Sequence, residues 1–173
     1  YDMKKILFAA SEAVPFMKTG GLADVTGSLP KYFDKKNYDV RVILPKYVCM
    51  EERWKGQLHF LCHFYVNLSW RKQYVGIFET TYDGITYYLV DNEFYFAGNA
   101  PYNNIYEDVE KFAFFSKAVL EALPYLDFCP DIIHCHDWQT GLLPVFLRTL
   151  YGDEEYYTGI KTVFSIHNLK FQG

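Results

Sequence analysis

The chain has 173 residues, half of them apolar and 22% charged, with 17 basic against 21 acidic side chains and a net charge of −4. That length suits one domain with a sizeable core, and so apolar a composition excludes intrinsic disorder. The mild acidity gives no electrostatic drive toward nucleic acid or an anionic membrane surface, and no apolar run approaches the roughly 18 residues of a membrane span.

Four cysteines, Cys49, Cys62, Cys129 and Cys135, fall in no paired spacing. They read as reduced thiols of a cytoplasmic protein. Lys4-Lys5 precedes a short apolar run that Ser11-Glu12 interrupts, unlike a secretory leader. Aromatic residues make up 20% of the chain, which serves equally a tyrosine-rich core or platforms that stack on sugars or bases.

Residues 4–9 form a short apolar run with the look of a buried parallel strand, followed by a loop ending in Gly20-Gly21. From there Leu22, Val25, Leu29 and Phe33 take helical spacing, and Pro30 predicts a kink or an early stop. Residues 39–44 are a second buried strand closed by Pro45, so a right-handed crossover joins a parallel pair. Between Leu58 and Trp70 the pattern changes to period two: Leu58, Phe60, Cys62, Phe64, Val66, Leu68 and Trp70 alternate with polar residues, and only Leu61 is out of phase. That predicts a half-buried strand. Residues 73–82 and 85–90 continue it across Asp83-Gly84, a dipeptide suited to a tight hairpin. The result is an antiparallel meander, inserted into the parallel sheet or added at its edge.

Residues 92–106 read as loop from their Asn, Gly and Pro content, and so long an irregular stretch is more often functional than idle. Helical spacing returns over 109–123 and Pro124 ends it. Residues 131–136 are a third parallel-type strand, Asp137 stands where a helix cap would, and Leu142, Val145, Phe146 and Leu150 mark the helix behind it. A polar loop over 151–159 leads to a fourth strand at 161–166. The expected fold is α/β: a Rossmann-like, mostly parallel sheet with an antiparallel β-meander. A doubly wound fold would send a helix back after residue 166, so the sequence reads as a piece of a longer protein, with Met3 as its natural start.

Open α/β sheets bind ligands beyond the carboxyl ends of their strands. Three segments fall there: Lys18-Thr-Gly-Gly-Leu22, His136-Asp137-Trp138 and His167-Asn168. At Gly20 and Gly21 a backbone can approach a ligand closely, helix-start N–H groups favour an anion such as phosphate, and Lys18 adds a point charge. A tight entry turn with a solvated lysine is the plainer reading. Asp24 complements the helix dipole.

His134 and His136 share a strand face, so two imidazoles there could hold an ion, with His167 as the third ligand. Trp138 and Gln139 stand where a His-x-His-x-Asp-His metallohydrolase would need Asp and His, and no metal is expected. Asp137 either caps a helix or accepts from a substrate hydroxyl. His167, beside Asn168, is either structural or a polar ligand group. Tyr95, Tyr102 and Trp138 either pack or stack on a sugar face.

The order of motifs resembles that of bacterial glycogen synthases and plant starch synthases. It is carried by Ile6-Leu-Phe-Ala-Ala-Ser-Glu-Ala-Val-Pro15, Lys18-Thr-Gly-Gly-Leu-Ala-Asp-Val25, Gly27-Ser-Leu-Pro30 and Val40-Arg-Val-Ile-Leu-Pro45. Phe112-Ala-Phe-Phe-Ser116, His134-Cys-His-Asp-Trp138 and His167-Asn-Leu-Lys-Phe-Gln-Gly173 extend it over nearly the whole chain.

The resemblance implies the N-terminal, acceptor-side half of a two-domain GT-B glycosyltransferase. Its partners would be ADP-glucose, an α-1,4-glucan and its own C-terminal domain, with no metal or other cofactor. By motif, Lys18 and the Gly20/Gly21 backbone would meet the donor diphosphate, with Asp24 shaping that site. Asp137 would face the sugars, and His167 would lie against the transferred glucose. Tyr95 and Tyr102 fall in the family's variable cleft loop, and Lys111 replaces an expected Arg, which keeps the charge but loses the planar fork.

The setting would be a bacterial cytoplasm, or a plastid for a plant enzyme. The isolated piece is expected to be inactive without the domain that positions the donor. Two alternatives stay open: a non-catalytic carbohydrate-binding module, and a GT-B glycosyltransferase with another donor.

Overall fold

The computed structural model describes residues 3–167; the Asn168 reading lies outside the described residues. Seven strands form one sheet among them: β1 (Lys4–Ala9), β2 (Tyr38–Pro45), β3 (His59–Leu68), β4 (Arg71–Tyr82), β5 (Ile85–Asp91), β6 (Ile132–His136) and β7 (Lys161–Ser165). Their spatial order is β3-β4-β5-β2-β1-β6-β7. The block β5-β2-β1-β6-β7 is parallel throughout, and β4 and β3 continue it antiparallel beyond β5. The meander is therefore added at the edge. The chain runs outward from β1 to β2 on one side and returns to β6 on the other, so the order reverses between β1 and β6, where such sheets open a ligand crevice.

Side chains along β1 alternate between two cores. Leu7 and Ala9 point to the face covered by α3 (Ile105–Ala122) and α4 (Leu142–Thr149), meeting Phe112, Phe115, Val119 and Leu143. Ile6 and Phe8 point to the opposite face with Val42, Leu44, Tyr87 and Phe16. Both faces of β1, β2 and β5 are buried over most of their length, hence their continuous apolar runs, while the edge strand β7 leaves Val163 and Phe164 exposed.

Helix α1 (Gly21–Ser28) stops early: Pro30 opens a 3-10 turn over Leu29–Tyr32, since proline has no N–H to continue the helical ladder. Gly27 lets the helix lie against the loop after β1, because a Cβ there would meet the Val14 carbonyl oxygen at 2.7 Å. Helix α2 (Glu52–Lys55) is a single turn before β3.

Three expectations need correction. The alternation in β3 buries Phe64 and Val66, but Phe60 is 53% and Trp70 85% exposed. Register shifts between Phe60 and Cys62, so Leu61 is the extra residue of a bulge that turns Phe60 onto the other face, against Phe78. Trp70 lies in the β3–β4 turn, where the Arg71 guanidinium packs over its ring. Helix α3 begins earlier than its spacing suggests, at Ile105, because the Asn104 side chain accepts the Glu107 N–H and caps it. Finally, the polar 151–159 loop sends Tyr151 and Tyr157 into the core, and the Tyr157 hydroxyl donates to the Leu120 carbonyl at 2.8 Å. The four cysteines are free, and no helix among the described residues is long and apolar enough to cross a membrane.

Candidate active site

The carboxyl ends of β1, β6 and β7 are adjacent, and each hands the chain to one predicted segment. Behind β1, Glu12 is buried and its carboxylate organises the whole entry loop. One oxygen accepts the Thr19 and Gly20 N–H groups at 3.0 and 3.1 Å; the other accepts the Thr19 and Tyr102 hydroxyls at 2.5 and 2.6 Å. The Tyr102 hydroxyl is also 2.7 Å from Ser11 Oγ, and Tyr47 donates to the Ser11 carbonyl. Burial and the Glu12 charge push the Tyr102 phenol far above its ordinary range, so it stays a donor. Thr26, inside α1, donates to the Glu12 carbonyl at 2.7 Å and ties helix to loop.

This amends the anion-site reading. The Thr19 and Gly20 N–H groups are spent inward on Glu12. What faces outward is the exposed main chain at Gly20 and Gly21, with nothing among the described residues within 4 Å of where a Cβ would stand. Lys18 lies beside it, paired with Asp24 at 2.9 Å with both side chains about half exposed. An exposed pair of this kind contributes little to stability and leaves the ammonium available to an arriving anion.

At the end of β6, Asp137 adopts φ 61°, ψ 177°, a region that side chains other than glycine seldom occupy. It makes no side-chain cap, which corrects the capping expectation. Its main-chain N–H instead donates to the Ser165 carbonyl at 2.8 Å, and its Oδ1 accepts the His167 N–H at 2.6 Å. The strained turn thereby locks the ends of β6 and β7 together. Thr140 closes it from below, donating to the His136 carbonyl at 2.9 Å.

The imidazoles form a ladder. His134 and His136 stack at 4.1 Å between centroids, His136 and His167 at 5.1 Å, and Phe8 lies 5.0 Å from both of the first two. His134 Nε2 is 2.7 Å from Ser165 Oγ, and His136 Nδ1 is 2.8 Å from His167 Nε2. Burial, then the two neighbouring rings, push His136 down to about 3; burial and His167 lower His134 too. Among the described residues no group of three His, Cys, Asp or Glu side chains is arranged to hold a metal ion.

Of the two roles open to Tyr95, packing against the core or stacking on a sugar, it takes packing. It is 5% exposed, with its ring stacked on Phe114 at 4.6 Å. Tyr102 is likewise committed, to Glu12. Its ring leads through Phe112, at 6.0 Å, to the half-exposed Trp138, 5.8 Å further on, linking the β1 loop to the β6 turn. Lys111 is buried. Its ammonium donates to the Pro101 carbonyl and Asn103 Oδ1 at 2.8 and 2.6 Å beside Asp108, so it fastens the 92–104 loop rather than reaching a ligand.

Glu12 is the functional group that motif spacing missed. Its signal was a carboxylate set among Ala9, Ala10, Ala13 and Val14, where burial demands partners.

The sequence matches the starch synthase catalytic domain family over residues 5–173. The glycogen synthase of Lachnoclostridium phytofermentans is 67% identical over 99% of this chain and 36% of that protein. Those of Lachnospira eligens and Clostridium perfringens are 62% and 52% identical over 99% and 100% of this chain, again 36% of each protein. The solved catalytic domain of starch synthase IV from Arabidopsis thaliana, bound to ADP and acarbose, is similar with a TM-score of 0.83. That match has 29% identity and covers 97% of this chain and 34% of the other. This chain thus spans about a third of the length of the relatives it matches.

Proposed function

The chain belongs to the starch synthase catalytic domain family, and from that premise we propose that it is the acceptor-side part of a retaining glucosyltransferase. The enzyme moves glucose from ADP-glucose to the non-reducing end of an α-1,4-glucan, in a bacterial cytoplasm. Residues 1–173 belong to the N-terminal domain of a two-domain GT-B enzyme, and the other domain holds most of the nucleotide.

The observation that carries the reading is the convergence of two prepared segments at the β1/β6 reversal: the Glu12-braced Lys18–Gly21 loop and the Asp137–His167 clamp. Departure of ADP leaves negative charge on a diphosphate. Lys18 and the exposed main chain at Gly20–Gly21 meet that charge at fixed positions, so little reorganisation is needed as it develops. Asp24 holds Lys18 in place until the donor arrives. Glucosyl transfer passes through an oxocarbenium-like state whose sugar must be held rigidly. Asp137 spends one oxygen on the His167 N–H, and among the described residues its other oxygen has no partner, leaving it to accept from a sugar hydroxyl. His167, exposed at the end of β7, presents its ring and carbonyl to the transferred glucose.

The test uses the full-length protein. ADP release from ADP-glucose is expected to depend on an added maltooligosaccharide, with net retention of α-configuration in the lengthened product. The 173-residue chain alone is expected to release no ADP, because donor positioning needs the second domain. Glucan binding without transfer by the full-length protein would instead indicate a carbohydrate-binding module. Preference for another nucleotide sugar would indicate a different glycosyltransferase.

A further inference from the structure

The His136–His167 contact holds more than ring position. Two imidazole nitrogens 2.8 Å apart share one proton, so one ring donates and the other accepts. His136 is completely buried, and its second nitrogen, Nε2, has no hydrogen-bond partner among the described residues. Were His136 the acceptor at Nδ1, its own proton would sit on Nε2 as an orphaned buried donor, which folded proteins rarely tolerate. Were it the donor, Nε2 would be a bare lone pair, which is tolerated more readily.

We propose that His136 is a positioning residue that donates its Nδ1–H to His167 Nε2, fixing His167 as the Nδ1–H tautomer and presenting that N–H as the one polar ring group left for a ligand. The ring's remaining nitrogen is then a hydrogen-bond donor, fitted to an oxygen acceptor such as a sugar hydroxyl. Its use in transfer rests on the function proposed above; the tautomer does not.

The rest of the ladder supports the assignment. Phe8 and His134 both pack on the His136 ring, and Ser165 in turn holds the far nitrogen of His134. The Asp137 carboxylate separately holds the His167 main chain, so ring and backbone have different anchors. Burial, with the two neighbouring rings, keeps His136 neutral throughout the physiological range.

Two readouts test it on the full-length protein labelled with nitrogen-15 at histidine. In the wild type, the His167 ring is expected to show a protonated Nδ1 and an unprotonated Nε2. The opposite pattern overturns the proposal whether or not the protein transfers glucose. Kinetics supply the second readout. In His136→Asn the side-chain amide lies near the old Nδ1 and can still donate to His167, whereas in His136→Gln it reaches toward Nε2 instead. His136→Gln is expected to lower kcat by roughly 10–100-fold, as loss of an orienting partner does, with the donor KM within about 2-fold, and His136→Asn to recover most of kcat. Equal loss in both variants, with the wild-type tautomer unchanged in both, overturns the positioning role. Absence of transfer in the wild type overturns the proposed function and leaves the tautomer to be judged from the spectra alone.

Discussion

Asp137 Oδ1 accepts the main-chain N–H of His167 at 2.6 Å across the ends of two adjacent parallel strands, while Asp137 itself sits at φ 61°, ψ 177°. A residue held in so unfavourable a conformation persists because its surroundings determine it, and here they do so with hydrogen bonds at both its N–H and its carboxylate.

Replacement at this position is therefore expected to separate stability from activity. Asp137→Gly relieves backbone strain of about 1–3 kcal/mol while losing a charged hydrogen bond of similar worth, so unfolding free energy should stay within about 1 kcal/mol of wild type. Asp137→Ala keeps the strain and loses the bond, a cost of about 1.5–3 kcal/mol. Both should lower ADP release by 100-fold or more. Urea midpoints together with turnover check this. A glycine variant no more stable than the alanine variant would remove strain from the explanation.

Glu12 holds four donors with one buried carboxylate. Glu12→Ala strands them, and a loss of about 3 kcal/mol or more is expected, with a raised donor KM as the Lys18 loop loosens. Tyr102→Phe removes one donor and should cost only about 1 kcal/mol. Thermal unfolding and donor titration are the measurements. Similar losses in the two variants would mean that the carboxylate is not the organiser.

The glycines of the first helical segment offer a contrast. Gly27→Ala forces a Cβ to within 2.3 Å of the Val14 side chain and 2.7 Å of its carbonyl oxygen. Overpacking of this kind costs about 1–3 kcal/mol. Gly21→Ala meets nothing among the described residues within 4 Å and should leave the melting temperature unchanged or slightly raised, since alanine suits a helix better. If a diphosphate lies against that backbone, Gly21→Ala nonetheless raises the donor KM at least about 10-fold. An unchanged KM would move the phosphates elsewhere.

Acid should weaken the fold through His136. Its folded pKa is about 3, pushed down by burial and the neighbouring rings, against an ordinary 6.5. Between those values the unfolded chain binds a proton that the folded chain refuses, so stability falls as pH drops through that window, by about 1.4 kcal/mol per pH unit from this group alone. His134, lowered for the same reason, adds to the slope. Urea midpoints from pH 7 to 4 should fall more steeply for wild type than for His136→Asn. Parallel curves would show that His136 does not refuse its proton.

Much of this architecture was legible in the chain itself. Apolar runs at 4–9 and 39–44, Asp83-Gly84 and the terminating prolines all act locally, and each set its element within a few residues. What escaped the sequence was non-local. Leu61 looked like a flaw in a strand pattern until pairing with β4 made it a bulge. Asp137 looked like a cap because it precedes helical residues, yet its partners are Ser165 and His167, some thirty positions away. Tyr95 lay in a loop that read as cleft, but Phe114 on α3 draws its ring into the core. The Gly20-Gly21 motif is legible in the sequence, whereas the carboxylate bracing it, several residues earlier, has its role fixed by Tyr102 closing on it from the far loop.

Hydrogen–deuterium exchange of the full-length protein, with and without ADP-glucose, tests most directly whether the β1/β6 edge is the reaction site. Slower exchange is expected in peptides covering residues 18–24 and 136–138 and the region of His167, with the meander of β3 and β4 unaffected. Protection that bypasses both the Lys18 loop and the Asp137 turn would contradict the assignment of this edge as the sugar-transfer cleft.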